Sequence, residues 1–156
     1  MADIAAAGGD AVILVDCTVE ALADYDADLK ASGITPIMLV APTTTADRRQ
    51  HILAHAGGFL YFVSLRGVTG TQEAQADAIA ADIRTLKNET DVPVCIGFGI
   101  RDGETARQMA ELADGVVIGS ALVARLHAAF DAKQPLGDTA TAFIRDIRAH
   151  LDKEPT

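Results

Sequence analysis

Five short apolar runs punctuate the chain: AVILV (Ala11 to Val15), PIMLV (Pro36 to Val40), FLYFV (Phe59 to Val63), VPVCI (Val92 to Ile96) and GVVI (Gly115 to Ile118). None alternates apolar with polar residues. Runs of that length, apolar on both faces, predict strands of a parallel sheet covered on each side or of a closed barrel. Between them, helical patterns run from Val19 to Ala31, Thr45 to Ala56, Gln72 to Leu86 and Gly103 to Leu112. The order is therefore strand then helix, repeated, and parallel neighbours need such crossovers. Thr45, Thr71 and Asp102 stand just before helix-forming runs as capping types, while Gly33 and Gly57-Gly58 follow helix ends. After the last strand, GSALVARLHAAF predicts a short helix opening at Gly119-Ser120, then KQPLGD a turn, then a final helix from about Thr139 to Leu151. At the start, ADIAAAGGD reads as the last turns of an alanine-rich helix closed by glycines. The first visible strand is accordingly not expected to be the first strand of the fold.

With 156 residues, 49% of them apolar, the chain is long enough for one domain with a sizeable core, and no linker or composition shift divides 1–156. A net charge of -9 and a pI near 4.7 argue against nucleic acid or an anionic membrane as partner, since no Lys/Arg cluster neutralises phosphates in series. A small anion held by backbone amides stays open. The apolar runs are strand-length, and MADIAAAGGD has no basic segment followed by an apolar core, so a cytoplasmic location is expected. Cys17 and Cys95 read as reduced thiols in or beside strands. His51 and His55 share a helix face at i and i+4, but no third ligand stands beside them, and a solvated face is the plainer reading. No metal and no cofactor are expected.

Glycine recurs where strands end and helices begin: GVTG (Gly67 to Gly70), GFG (Gly97 to Gly99) and GS (Gly119-Ser120). Each taken alone is an ordinary turn signal. Together, and followed by a short extra helix, they fit the phosphate site that barrel folds build between the loops after strands seven and eight. Gly99 and Gly119 let amides approach an anion closely, the amides opening the Ser120 helix carry partial positive charge, and Ser120 adds a hydroxyl. If GFG and GS close strands seven and eight, GVTG closes strand six, the visible strands are four through eight, and three βα units are expected upstream. The fold class expected is α/β, an incomplete (β/α)8 barrel with about five parallel strands and flanking helices. GFGIRDG lacks the third glycine of a dinucleotide fingerprint, and no P-loop occurs. Asp16, at the end of the first visible strand, is a candidate general acid or base, or equally a cap for the helix near Thr18 to Glu20. Tyr61 either turns its hydroxyl into a barrel pocket or fills core.

The stretches LVAPTTTADRRQHI, GFLYFVSLRGVTGT, DVPVCIGFGI and ADGVVIGSALV resemble, in order and spacing, the last four barrel strands of the tryptophan synthase α-subunit family. GVTG after a Tyr-x-x-Ser strand is the most specific of these features. The resemblance runs over about the whole chain and implies a retro-aldol lyase, which cleaves indole-3-glycerol phosphate to indole and glyceraldehyde 3-phosphate and works with a β subunit in an α2β2 complex. It implies that Gly70, Gly99, Gly119 and Ser120 form the phosphate cradle, Thr69 is the mobile-lid threonine, and Tyr61 is an active-site tyrosine. The glutamate on the family's second strand and the aspartate after it, which form its acid-base pair, lie upstream of anything in this sequence. Two departures stand out. The chain has Ser64-Leu65-Arg66-Gly67 where the family usually has Ser-Arg-x-Gly, and Asp16-Cys17-Thr18 without the family's proline. Other readings are a non-catalytic half-barrel that binds a phosphate compound or pairs with another half-barrel, and a phosphate-sugar barrel with a different reaction. Open strand edges are expected to make the isolated chain poorly soluble or oligomeric.

Overall fold

Strands and helices alternate as the apolar runs predict in the computed structural model, which describes residues 1–63, 72–97 and 99–153. These residues group into two units, Met1–Cys95 and Ile96–Thr156. The first unit opens with α1 (Ala2–Ala6) and β1 (Ala11–Val12). Gly8 lies at φ +86 and the Gly9 amide bonds to the Ile4 carbonyl at 2.9 Å, so glycines do close this helix. A short 3-10 helix (Ala21–Asp24), α2 (Asp26–Ser32), β2 (Thr35–Pro36) and β3 (Met38–Val40) follow. Next come α3 (Ala46–Leu53), β4 (Leu60–Phe62), α4 (Gln72–Glu89) and β5 (Val94–Ile96).

The PIMLV run is expected as one strand, but it divides at Ile37 and changes partner. β1 pairs with β2 in parallel, Ala11 opposite Thr35 and Val12 opposite Pro36, and the Ile37 amide donates to the Val12 carbonyl at 2.8 Å. From Met38 onward the chain pairs instead with β4, also in parallel, with Leu39 opposite Tyr61. Pro36 has no amide hydrogen to donate, so it sits where a ladder bond from its own nitrogen is not needed. Such a stagger, with one strand handing from one neighbour to the next, is how sheets coil toward a barrel. AVILV is likewise shorter than expected: past Val12 no partner continues the ladder among the described residues, and Val15 is 76% exposed. Asp16 therefore does not end a strand. It lies exposed in the turn beyond, and the Thr18 hydroxyl accepts from the Ala21 amide at 3.3 Å in the role of cap.

The helix expected from Val19 to Ala31 restarts at Tyr25, and both pieces contribute to one cluster, Leu22 with Leu29 and Ile34. Gly33 ends α2 in the left-handed region at φ 66, a conformation costly for residues with a Cβ. Thr45 caps α3 by accepting from the Arg48 amide. The order of β3, β4 and β5 is sequential, and the Leu60 amide bonds to the Pro93 carbonyl at 2.8 Å.

The second unit contains α5 (Gly103–Ala110), β6 (Gly115–Val116), α6 (Ser120–Asp131) and α7 (Leu136–Leu151). The last residue of β5, Ile96, accepts from the Val117 amide at 2.8 Å. Both α5 and α6 pack against α7, over a core of Ile100, Ala106, Phe143 and Ile147. α7 begins three residues earlier than the turn reading of KQPLGD predicts, because Pro135 at φ -62 is already set for the cap and Asp138 lies favourably in the first turn. Among the described residues no helix is long and apolar enough to cross a membrane.

Candidate functional site

Alternation along β4 decides which way Tyr61 faces. Leu60 and Phe62 are 0% and 1% exposed, whereas Tyr61 between them is half-buried and shares its face with its partner Leu39. Val40, Phe62 and Leu86 line one small cavity of about 180 Å³ with Arg49, so the fully buried face lies toward α3 and α4. Tyr61 and Leu39 lie on the other face of the paired strands. Leu39 lines a second cavity, of about 460 Å³, with Leu14, Met38 and Arg48. Tyr61 itself lines neither cavity.

Two of the glycines expected to hold phosphate, Gly99 and Gly119, fall in the second unit. Gly99 lies at φ +71, is exposed, and has nothing within 4 Å of where a Cβ would point. Gly119 is the N-cap of α6 with φ -113, again with nothing within 4 Å of a built Cβ. No side chain caps α6, its first turn carries no acidic residue, and the first intrahelical bond, from the Val123 amide to the Gly119 carbonyl, leaves the amides before Val123 free of that ladder. Ser120 is exposed at the same end.

Two other helices begin differently. At α5, the Asp102 carboxylate accepts from the Thr105 amide at 2.9 Å, the capping box is complete, and Glu104 adds a second negative charge to the first turn. At α3 the Thr45 hydroxyl fills the cap and Asp47 sits in the first turn. Carboxylates thus offset the partial positive charge at the starts of α3 and α5, and none does so in the first turn of α6. Because Val117 bonds to Ile96, the Gly99 turn and the α6 start follow neighbouring strands of a parallel sheet. Gly99, Gly119 and Ser120 are thus brought to one region of one unit. Thr69 and Gly70, expected for the lid and cradle, and the cap Thr71 lie outside the described residues.

His51 and His55 are exposed, and no group of three metal-binding side chains occurs among the described residues. Cys17 and Cys95 are half-buried and not joined in a disulfide. One contact beside the glycine site has no local sequence signal: Gly103, the first residue of α5, packs against the ring of His150 on α7.

Residues 1–151 match the family model for the tryptophan synthase alpha chain. Among curated relatives, the tryptophan synthase alpha chain of Burkholderia multivorans is 46% identical over 153 residues, which is 97% of this chain and 55% of that protein. The alpha chain of Paraburkholderia phytofirmans is 41% identical over 150 residues, again 55% of its length. Among solved structures, the tryptophan synthase alpha chain of Legionella pneumophila superposes with a TM-score of 0.85 at 33% identity, covering 97% of this chain and 55% of that one. The chain spans about half the length of the curated relatives it matches.

Proposed function

Since the chain belongs to the tryptophan synthase alpha chain family, we propose that it supplies the phosphate-binding half of an indole-3-glycerol-phosphate lyase, as one partial (β/α)8 barrel of strands four to eight. In the reaction the bond between the indole ring and the first glycerol carbon breaks. The ring takes up a proton, and the hydroxyl on that carbon gives one up as it becomes the aldehyde of glyceraldehyde 3-phosphate. The acid-base pair for those transfers belongs to the part of the family's length that this chain does not span. What the chain offers is a grip on the phosphate: amides at Gly99 and Gly119, the Ser120 hydroxyl, and, in the resemblance, Gly70. Thr69 acts as the lid residue and Tyr61 lines the indole side. The carrying observation is the α6 N-terminus, which has no side-chain cap, no carboxylate in its first turn and open space beside Gly119.

General acid-base groups contribute about 10² to 10⁴ each to rate, so the chain alone is expected to bind without appreciable turnover. Titration with glycerol 3-phosphate tests the binding half. Saturable binding that weakens in Gly119→Ala and Ser120→Ala, with no indole released from indole-3-glycerol phosphate, is the expected result. Absence of saturable binding refutes the assignment. Supplying the remaining family strands in trans, with a β subunit as partner, should restore indole release, and Thr69→Ala should then lower turnover strongly. A cytoplasmic setting accompanies this reading. Phosphate binding that persists with no turnover under any complementation would favour the non-catalytic half-barrel.

A further inference from the structure

We propose that His150 is a positioning residue for the phosphate loop, its imidazole on α7 seating the segment from Gly99 to Gly103 from which α5 starts. The inference rests on the reading of Gly99 as part of the phosphate site. Gly103 is buried, and a Cβ built on it would stand 2.2 Å from His150 Nδ1, 2.4 Å from Cγ and 2.9 Å from Cβ. Rotating the ring relieves the first two contacts. The third involves an atom fixed by the α7 backbone, so a side chain at Gly103 must displace either the start of α5 or the end of α7. The absence of a side chain at Gly103 is therefore matched to the presence of this ring.

Both partners are held from behind. The imidazole Nδ1 lies 2.9 Å from the Asp146 carbonyl, which can only accept, so Nδ1 carries the hydrogen and donates; the Asp146 carboxylate is 3.6 Å away. One and two turns earlier, Ile147 and Phe143 anchor α7 in the core that also contains Ile100. On the loop side, the Thr105 hydroxyl accepts from the amides of Arg101 and Asp102 at 3.1 and 3.2 Å, and the Asp102 carboxylate accepts from Thr105. Residues 101 to 105 are tied into one knot, and only the buried Ile100, 4% exposed, separates that knot from Gly99. A shift of Gly103 is transmitted to the Gly99 amide with little slack, because a packed core resists small displacements. The last helix thereby decides where the phosphate loop sits.

The test is a double-mutant cycle in the full chain, with Gly103→Ala, His150→Ala and the pair, read by amide hydrogen exchange over residues 99 to 105 and by titration with glycerol 3-phosphate. Gly103→Ala should speed exchange there and weaken binding, each on the order of tenfold. His150→Ala alone should loosen the same amides to a smaller extent. The pair should recover part of the loss, since the two ring contacts disappear while the Cβ contact at 2.9 Å remains. Recovery in both readouts supports the proposal. A pair no better than Gly103→Ala, or a Gly103→Ala chain with unchanged exchange and affinity, overturns it. If Gly103→Ala does not fold, regained folding in the pair reads the same coupling, and its absence counts against it. A wild-type chain that shows no saturable binding refutes the phosphate reading instead, while the exchange cycle still decides whether His150 seats the loop.

Discussion

Replacing Glu89 by glutamine should destabilise the first unit by about 2 kcal/mol at neutral pH, because the carboxylate closes a two-pronged clamp. Arg49 Nε and Nη2 donate to the two Glu89 oxygens at 2.9 and 2.8 Å, and Arg49 Nη1 donates to the Thr44 carbonyl at 3.2 Å. The pair ties α3 and the loop before it to the end of α4. Their side chains are 20% and 22% exposed, which removes most of the solvent screening that makes surface pairs nearly worthless. A fully buried pair broken on one side costs about 3 to 5 kcal/mol and a hydrogen bond to a charged group about 1.5 to 3, so partial burial puts the expectation near the lower figure. Glutamine keeps the shape and one acceptor but turns an NH2 toward a guanidinium.

The hydrogen bonds from Arg49 hold the Glu89 carboxyl below its usual value of 4.5. A carboxyl whose folded value is depressed contributes stability that is fully present above the unfolded value and is lost as pH falls through the folded one. The difference between wild type and Glu89→Gln should therefore be constant from neutral pH down to about pH 5 and shrink below about 4.5. Urea unfolding followed by circular dichroism at several pH values measures it; about 2 kcal/mol is a roughly thirtyfold change in the unfolding equilibrium. A midpoint unchanged at pH 7, or a difference that persists undiminished into the acid range, would refute the reasoning.

Three further outcomes are expected. Gly99→Ala should cost about 1 to 2 kcal/mol, read by thermal unfolding, because φ +71 is left-handed, whereas Gly119→Ala at φ -113 carries no such strain and should act chiefly on glycerol 3-phosphate affinity. Phe143→Ala should destabilise the second unit by about 3 to 5 kcal/mol, since the ring is 3% exposed in the core; the Arg125 guanidinium, 4.7 Å above its centroid, loses its partner as well. The Thr105 backbone and side chain hold the Asp102 carboxyl below its usual 3.8, so helical signal from α5 should be stable above that value and weaken as pH falls through the lower folded one, a loss that Asp102→Asn should abolish.

Signals confined to a few neighbouring residues were legible before any coordinates. Among the described residues, apolar runs of strand length marked the strand regions, because a segment covered on both faces has no polar positions whatever it packs against. Thr45, Asp102 and Gly33 marked helix ends correctly, since a cap is a bond within three residues and a left-handed φ is a property of one. The turn at Gly99 and the helix start at Gly119 were legible for the same reason. Where the ladder stops was not: Val15 is as apolar as Val12, but only the partner's reach decides that one is paired and the other 76% exposed. Nor does PIMLV carry any mark at Ile37 of its change of neighbour, or β4 any sign of whether Tyr61 or Phe62 faces the helices. The Arg49 clamp on Glu89 and the ring of His150 over Gly103 join residues far apart in sequence, with no periodicity linking them. Such contacts exist only once strands and helices have packed, because their energy depends on burial and distance, and both are set by the whole chain.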